Sequence, residues 1–390
     1  MTWHQRLTAD LEQAEIDHLR RFRQSSDGPQ GPKIQIHGQE LTNFCSNDYL
    51  GFANHPKIKQ AVIDAANKWG VGSGSSHLVC GHQDLTESFE QDFASFVGAE
   101  SALLFSTGYM ANFAVLNSFS DAGSLIMQDK LNHASLIDAG RLSRAIFSRY
   151  QHGDMGFLEQ QLKKAGDKPV LIATDAVFSM DGDLPPLEQL SGLSDRYGAL
   201  LYFDDAHGFG VLGNQGRGSL NSAGLAPTGN RLMLATLGKA LGSFGAVVAG
   251  DKVFIDTLIQ LARPYIYTTA LPPTVVAASA AGLGLMQEED WRFSHLRKLI
   301  KVFRESVGSL ELNLMDSQTA IQPILVGDNQ AALDCSKQLR DLGFLVTAIR
   351  PPSVPNGTAR LRITLSAAHT QADIENLIGA LKQLQKDGAL

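Results

Sequence analysis

The sequence has little cysteine. Cys45, Cys80 and Cys335 are three in 390 residues, far apart, with no CxxC pair and no zinc spacing. A disulfide framework and a structural zinc site are therefore not expected, and a reducing compartment is. Basic residues are also short: 33 Lys and Arg face 40 Asp and Glu, for a net charge of −7. Nucleic-acid binding needs clustered cations on phosphates, and the only such run is Arg20, Arg21 and Arg23. No apolar stretch is long enough to span a membrane, and the first 22 residues lack the apolar core of a signal peptide. The expectation is a soluble, cytoplasmic protein that binds neither nucleic acid nor membrane.

A chain of this length is expected to fold as two or three domains. Residues 4–23 place Leu7, Leu11, Ile16 and Leu19 on one side of a helix, and Gly28, Pro29, Gly31 and Pro32 end it. Residues 1–45 are thus expected to form a helical arm and linker. Short apolar runs follow at 102–106, 125–128, 144–149, 170–174, 199–204, 232–236 and 246–249, alternating with helical stretches such as 58–69, 85–96, 110–119, 187–197 and 252–261. Runs such as LLYFDD are apolar almost throughout, as strands covered on both faces are. The fold class is therefore α/β: a large, mostly parallel sheet wrapped by helices over residues 46–273. After Pro272 and Pro273 a long helical region, 274–307, leads to strands at 321–326, 344–349 and 360–365. Residues 274–390 are expected to be a smaller α+β domain.

Ligands of open α/β sheets bind outside the carboxyl ends of the strands. Several polar residues fall there. Ser106-Thr107-Gly108-Tyr109 opens a helix, where backbone N–H groups can approach an anion; it is equally an ordinary turn. Asp204-Asp205-Ala206-His207 closes a buried strand. A carboxylate there needs a partner, such as a protonated pyridine nitrogen, and a capping Asp beside a core His is the plain alternative. Asp205 and His207 as metal ligands lack a third. Lys239, in Thr236-Leu237-Gly238-Lys239-Ala240, sits beside glycines in apolar surroundings, where desolvation frees an amine to attack a carbonyl; a surface turn competes with that reading. It is not a phosphate-binding P-loop, since the preceding spacing fails and Ala240 stands where Ser or Thr is needed. Gly208-Phe209-Gly210-Val211-Leu212-Gly213 matches GxGxxG but leads into a loop, and no acidic residue follows before Asp251, so a dinucleotide site is not expected. Asn132-His133 and Ser179 lie at comparable points, with a core histidine as the plain alternative for His133.

Four runs, read in order, resemble one family over nearly the whole chain: Asn43-Phe44-Cys45-Ser46-Asn47-Asp48-Tyr49-Leu50-Gly51, Phe178-Ser179-Met180-Asp181-Gly182-Asp183, Asp204-Asp205-Ala206-His207-Gly208 and Thr236-Leu237-Gly238-Lys239-Ala240. The chain is identified by them as resembling the α-oxoamine synthases, pyridoxal 5'-phosphate enzymes of the aspartate-aminotransferase-like architecture (fold type I). The run Ala348-Ile349-Arg350-Pro351-Pro352-Ser353-Val354-Pro355 and the form DDAHG resemble the branch that joins L-alanine to a pimeloyl thioester in biotin synthesis. Glycine C-acetyltransferase is the alternative within the family. Ser353, where that branch commonly has Thr, and Gly242-Ser243-Phe244-Gly245 after the lysine depart from its pattern.

The resemblance implies roles. Lys239 forms an imine with the cofactor and moves protons. Asp204 pairs with the ring nitrogen, His207 bonds the phenolic oxygen and His133 stacks on the ring. Ser179, Gly108, Tyr109 and Thr236 also hold the cofactor, and Thr268 reaches the phosphate of a partner subunit. Arg362 with Asn47 takes the amino-acid carboxylate. Arg21, or Arg20 in a neighbouring register, takes the distal carboxylate of the acyl chain near Ser353. The implied partners are L-alanine, pimeloyl-CoA or pimeloyl-acyl carrier protein, and a second copy of the chain in a homodimer.

Overall fold

The seven apolar runs between residues 100 and 250 become the seven strands of one sheet. A computed structural model describes all of residues 1–390. The sheet runs, from edge to edge, Ser101–Phe105, Ala246–Gly250, Arg231–Thr236, Leu200–Asp204, Val170–Asp175, Leu125–Asp129 and Ile146–Tyr150. Ala246–Gly250 is antiparallel to both neighbours, and all other pairs are parallel. Val170–Asp175 is buried at every position and Leu200–Asp204 at all but its first, as strands sandwiched between helices must be. Helix Gly108–Ser118 contributes Ala111, Ala114 and Val115 to one core with Leu103, Leu232, Leu234 and Val248. Truncating a leucine in such a core, for instance Leu234→Ala, costs about 2–5 kcal/mol.

Six strands share one direction. Phe105, Asp129, Asp175, Asp204 and Thr236 therefore end at the same edge of the sheet, and the turns beyond them carry the polar residues singled out above. This sheet belongs to a compact unit made of residues 48–179 and 183–296.

Residues 1–47, 180–182 and 297–390 form a second compact unit. One of its sheets pairs Lys33–Ile36 with Gln39–Asn43 as a hairpin. The two-residue turn, His37-Gly38, is left-handed at both positions (φ 51° and 77°), a conformation that suits the twist of a hairpin and that glycine adopts without strain. The other sheet is Ile321–Gly327, Ala359–Thr364 and Thr347–Ile349, with Ala359–Thr364 buried throughout.

Four local expectations differ from the structure. Residues 33–43 form the hairpin rather than a linker. The first helix is Trp3–Ile16, not 4–23: Asp17 caps it and His18 turns left-handed (φ 55°), so Leu19 does not continue the apolar row. The region 274–307 is two helices, Pro273–Glu288 and Trp291–Gly308, because Glu289 leaves helical geometry (ψ 50°). The run 344–349 splits at buried Val346 into Phe344–Leu345, parallel to Gln39–Asn43, and Thr347–Ile349, antiparallel to Ala359–Thr364. No helix is long and apolar enough to cross a membrane.

Candidate active site

At the shared edge of the seven-stranded sheet the turns enclose a cavity of about 170 Å³. Gly108, Tyr109, Asn112, His133, Ser135, Asp175, Ser179, Asp204, Ala206, His207, Thr236 and Lys239 line it. Eight of these were singled out from sequence.

Lys239 stands in the turn after strand Arg231–Thr236, with its Nζ 3.1 Å from His207 Nε2. The other nitrogen of that ring, Nδ1, is 2.5 Å from the Tyr49 hydroxyl. The His207 ring is thus fixed from both sides and presented with the amine. The glycines around this turn serve close packing. A Cβ on Gly210 would sit 2.2 Å from that of Ala240, and one on Gly242 (φ 62°) would meet the Phe52 backbone at 2.4 Å. GFGVLG therefore packs against the lysine turn and opens no helix, which excludes the dinucleotide reading.

Asp204 ends its strand with its carboxylate held by two donors: Asn112 Nδ2 at 2.7 Å and the Ala206 N–H at 3.1 Å. Tyr202 donates its hydroxyl to Asn112 Oδ1 (2.7 Å), which fixes the amide so that its NH₂ faces Asp204 and Ser135. Ser135 Oγ, taking that hydrogen bond, donates in turn to His133 Nδ1 at 2.7 Å; Nδ1 also accepts the Ser135 N–H. His133 therefore carries its proton on Nε2. Burial holds its pKa below the usual histidine range, so the ring is neutral.

Two further carboxylates differ from Asp204. Asp175 is fully buried and accepts the His133 N–H at 2.7 Å. Burial, and then the charge of Asp204, raise its pKa well above the ordinary carboxylate range. Asp205 points away: its oxygens accept the N–H and hydroxyl of Ser219, and burial pushes its pKa up to about 7. With Asp205 committed to Ser219 and both nitrogens of His207 facing Tyr49 and Lys239, the metal reading of that pair fails.

Helix Gly108–Ser118 begins at the cavity. Thr107 caps it, its side chain accepting the Met110 N–H at 3.1 Å, and the Gly108 and Tyr109 N–H groups precede the first internal helix bond. A Cβ on Gly108 would come within 3.1 Å of the Thr236 methyl, so glycine lets helix and strand approach. Tyr109 donates its hydroxyl to Asp138 at 2.7 Å. An anchored acid, an amine beside an imidazole and open helix N–H groups suit the ring nitrogen, aldehyde and phosphate of pyridoxal phosphate in turn. Thr268 is not on this cavity; it lines a small neighbouring hollow with Ser106, Tyr265 and Thr269.

The remaining predicted residues lie in the other unit. Arg362 is buried and donates to Asn47 Oδ1 from both terminal nitrogens (3.3 Å each) and to Thr364 Oγ1 at 2.9 Å. Arg21 Nη2 is 3.5 Å from Ser353 Oγ. Arg20 is paired with Glu15 at 2.6 Å instead. Both arginines line a cavity of about 720 Å³ whose walls include Ile34, Ile36, Leu333, Leu345 and Val346. Apolar walls with guanidinium groups suit an acyl chain that ends in an anion.

Sequence reasoning missed Asn112, Ser135 and Asp175 as cavity residues. Asp175 carries the signal that found Asp204, a carboxylate at the end of an apolar strand.

The class I and II aminotransferase family model matches residues 39–381. Over 389 residues, 99% of this chain and 98% of the relative, the sequence is 48% identical to 8-amino-7-oxononanoate synthase of Saccharophagus degradans. It is 51% identical over 377 residues, 97% of each chain, to the enzyme of that name from Ectopseudomonas mendocina. Among solved structures, a serine palmitoyltransferase holding pyridoxal phosphate as an internal aldimine is 26% identical, with a TM-score of 0.93 over 98% of each chain. The 8-amino-7-oxononanoate synthase of Francisella tularensis is 30% identical, with a TM-score of 0.78 over 90% of this chain and 99% of that one.

Proposed function

The chain belongs to the class I and II aminotransferase family and, within it, to the 8-amino-7-oxononanoate synthases, and from that premise we propose how its residues divide the reaction. The reaction is the decarboxylative condensation of L-alanine with a pimeloyl thioester to give 8-amino-7-oxononanoate, CO₂ and free CoA or acyl carrier protein in biotin biosynthesis, and the names of the relatives favour it over glycine C-acetyltransferase. Bound pyridoxal phosphate supplies an electron sink for the pair released when a bond to the alanine Cα breaks.

Lys239 Nζ would hold the cofactor covalently and, with that amine free, would serve as the base for the alanine α-proton. Asp204 would face the ring nitrogen and favour its protonated form by charge, and Asn112 with the Ala206 N–H aims that carboxylate. His207, set by Tyr49, bonds the phenolic oxygen. His133, kept neutral by burial and oriented by Ser135, would stack against the cofactor ring and help hold the substrate in place. The Gly108 and Tyr109 amides with Thr236 take the phosphate, and Ser179 adds a cofactor contact.

We assign the alanine carboxylate to Arg362 with Asn47. The distal carboxylate of the acyl chain goes to Arg21, with Ser353 beside it; Arg20 is spent on Glu15. We further propose a cytoplasmic, two-fold homodimer in which Thr268 reaches the partner's phosphate.

One observation supports this reading above the others: an amine 3.1 Å from an imidazole, on a cavity whose wall is an anchored carboxylate. The test is a steady-state panel of L-alanine and glycine against pimeloyl-CoA, pimeloyl-acyl carrier protein and acetyl-CoA. L-Alanine with a pimeloyl donor is expected to turn over fastest, and the better of the two pimeloyl donors is thereby identified. Faster turnover of glycine with acetyl-CoA overturns the substrate assignment.

A further inference from the structure

We infer that His152, outside the cofactor cavity, is a positioning residue for it: its ring ties the turn leading to His133 to the segment bearing Ser179. This rests on the cavity being the pyridoxal phosphate site.

The geometry is specific. Asp129 is the last residue of strand Leu125–Asp129, and its side chain is 1% exposed. It accepts the Leu131 N–H at 2.8 Å and the Gly153 N–H at 3.0 Å, and both its oxygens lie 3.2 Å from His152 Nδ1. From there the chain turns through Asn132, whose Nδ2 donates to the Ala173 carbonyl, to His133. On the other side, His152 Nε2 lies 2.7 Å from Asp183 Oδ2. The Asp183 carbonyl accepts the N–H of Phe178, the residue before Ser179. The Phe178 ring stands edge-on to the imidazole, 4.5 Å away and at 90°. Both His133 and Ser179 line the cavity.

Each ring nitrogen of His152 faces a carboxylate. An ionised carboxylate only accepts hydrogen bonds, and a neutral imidazole has a single N–H, so satisfying both partners needs the imidazolium. The hydrogen bonds to Asp129 and then Asp183 accordingly raise its pKa to about 10. Tyr150 and Asp175 also feel the Asp129 charge. Because the folded value lies above the unfolded one, near 6.5, the tie is complete at and below neutral pH and is lost as pH rises through about 10.

The test uses the holoenzyme, with circular dichroism of the cofactor band and steady-state kinetics. His152→Gln keeps one donor and loses the charge. It is expected to bind cofactor, to lose much of the band's dichroism, and to lower kcat about tenfold while KM for L-alanine moves less than about twofold. His152→Arg restores a two-donor cation that does not titrate, and should recover most of the signal and abolish its change near pH 10. Dichroism and kcat of His152→Gln within about twofold of the parent overturn the inference. If that variant does not fold, Asp183→Asn is read instead. It should weaken the signal and move the alkaline change below pH 10, and an unchanged signal and transition count against the proposal equally. The parent enzyme's borohydride-sensitive band is the control. Its absence removes the cofactor reading and this inference together, whereas its presence with unaltered variants removes this inference alone.

Discussion

In the cofactor cavity the polar side chains already hold one another: Tyr202 holds Asn112, Asn112 holds Asp204 and Ser135, Ser135 holds His133, and His207 lies between Tyr49 and Lys239. In the arginine-lined cavity of the other unit, Arg20 is paired with Glu15 and Arg350 donates to the His18 carbonyl, but the charges of Arg21 and Arg350 oppose each other. Arg21 has only Ser353 Oγ, at 3.5 Å, and Arg350, with a buried Nε that has no partner, is held below the ordinary arginine range by burial and by the charge of Arg21. The first cavity is organised before anything binds, which suits a resident group whose chemistry depends on fixed charges. The second carries repulsion that an arriving anion relieves, which suits a substrate that comes and goes.

The contrast is sharpest where a side chain reacts. Lys239→Ala is expected to abolish the borohydride-sensitive absorbance band and to lower kcat by about 10³-fold or more, since the proton-transferring group goes with the cofactor's attachment. A variant with parental turnover breaks the whole assignment. Next in size is a pair of neighbours. Asp204→Asn removes the charge facing the ring nitrogen, and kcat should fall about 100-fold with little change in thermal stability. Asp205→Asn should do the reverse, lowering Tm by several degrees through its lost acceptor for Ser219 while the cofactor spectrum stays as it was. Equal effects of the two on the spectrum would erase the distinction between them.

That pair also shows what the sequence tells. Asp204 and Asp205 are adjacent at the end of one buried strand, and nothing in composition or spacing says which faces the cavity; the resemblance chose Asp204. The strand-end residues were legible because six strands run the same way and bring their carboxyl ends to one edge. Asn112 was not, because it lies inside a helix, although one amide in the apolar stretch Ala111–Leu116 is itself a signal that a partner is needed. The split at Val346 was invisible because a short apolar run does not say which of two sheets each half will join. The first helix was overextended because periodicity continues through Leu19, whereas its end at Asp17 and His18 is a matter of backbone capping.

On the other side of the comparison, Arg21→Ala should raise KM for the pimeloyl donor about 10- to 100-fold with a smaller change in kcat, because the charge contributes to binding before chemistry begins. The effect should shrink for an acyl donor of equal length without the distal carboxylate. Arg20→Ala, removing a cation already paired with Glu15, should change KM by less than about threefold. A larger effect at Arg20 than at Arg21 would move the carboxylate to the neighbouring register.

The smallest effect concerns a buried acid outside the cofactor cavity. Glu90, on helix Asp84–Val97, accepts the Leu104 N–H at 2.7 Å and so braces the strand that leads to Gly108. Burial pushes its carboxyl up to about 8 from a usual value of 4.5. A raised folded pKa means that the folded chain keeps a proton the unfolded chain releases, so this group's contribution to stability falls as pH rises from about 4.5 through 8. Glu90→Gln keeps the accepting oxygen and does not titrate. Its Tm should therefore gain on the parent's between pH 5 and 8, by a few degrees. Parallel Tm curves for the two proteins across that range would mean that Glu90 is already ionised, with a partner other than the backbone of Leu104.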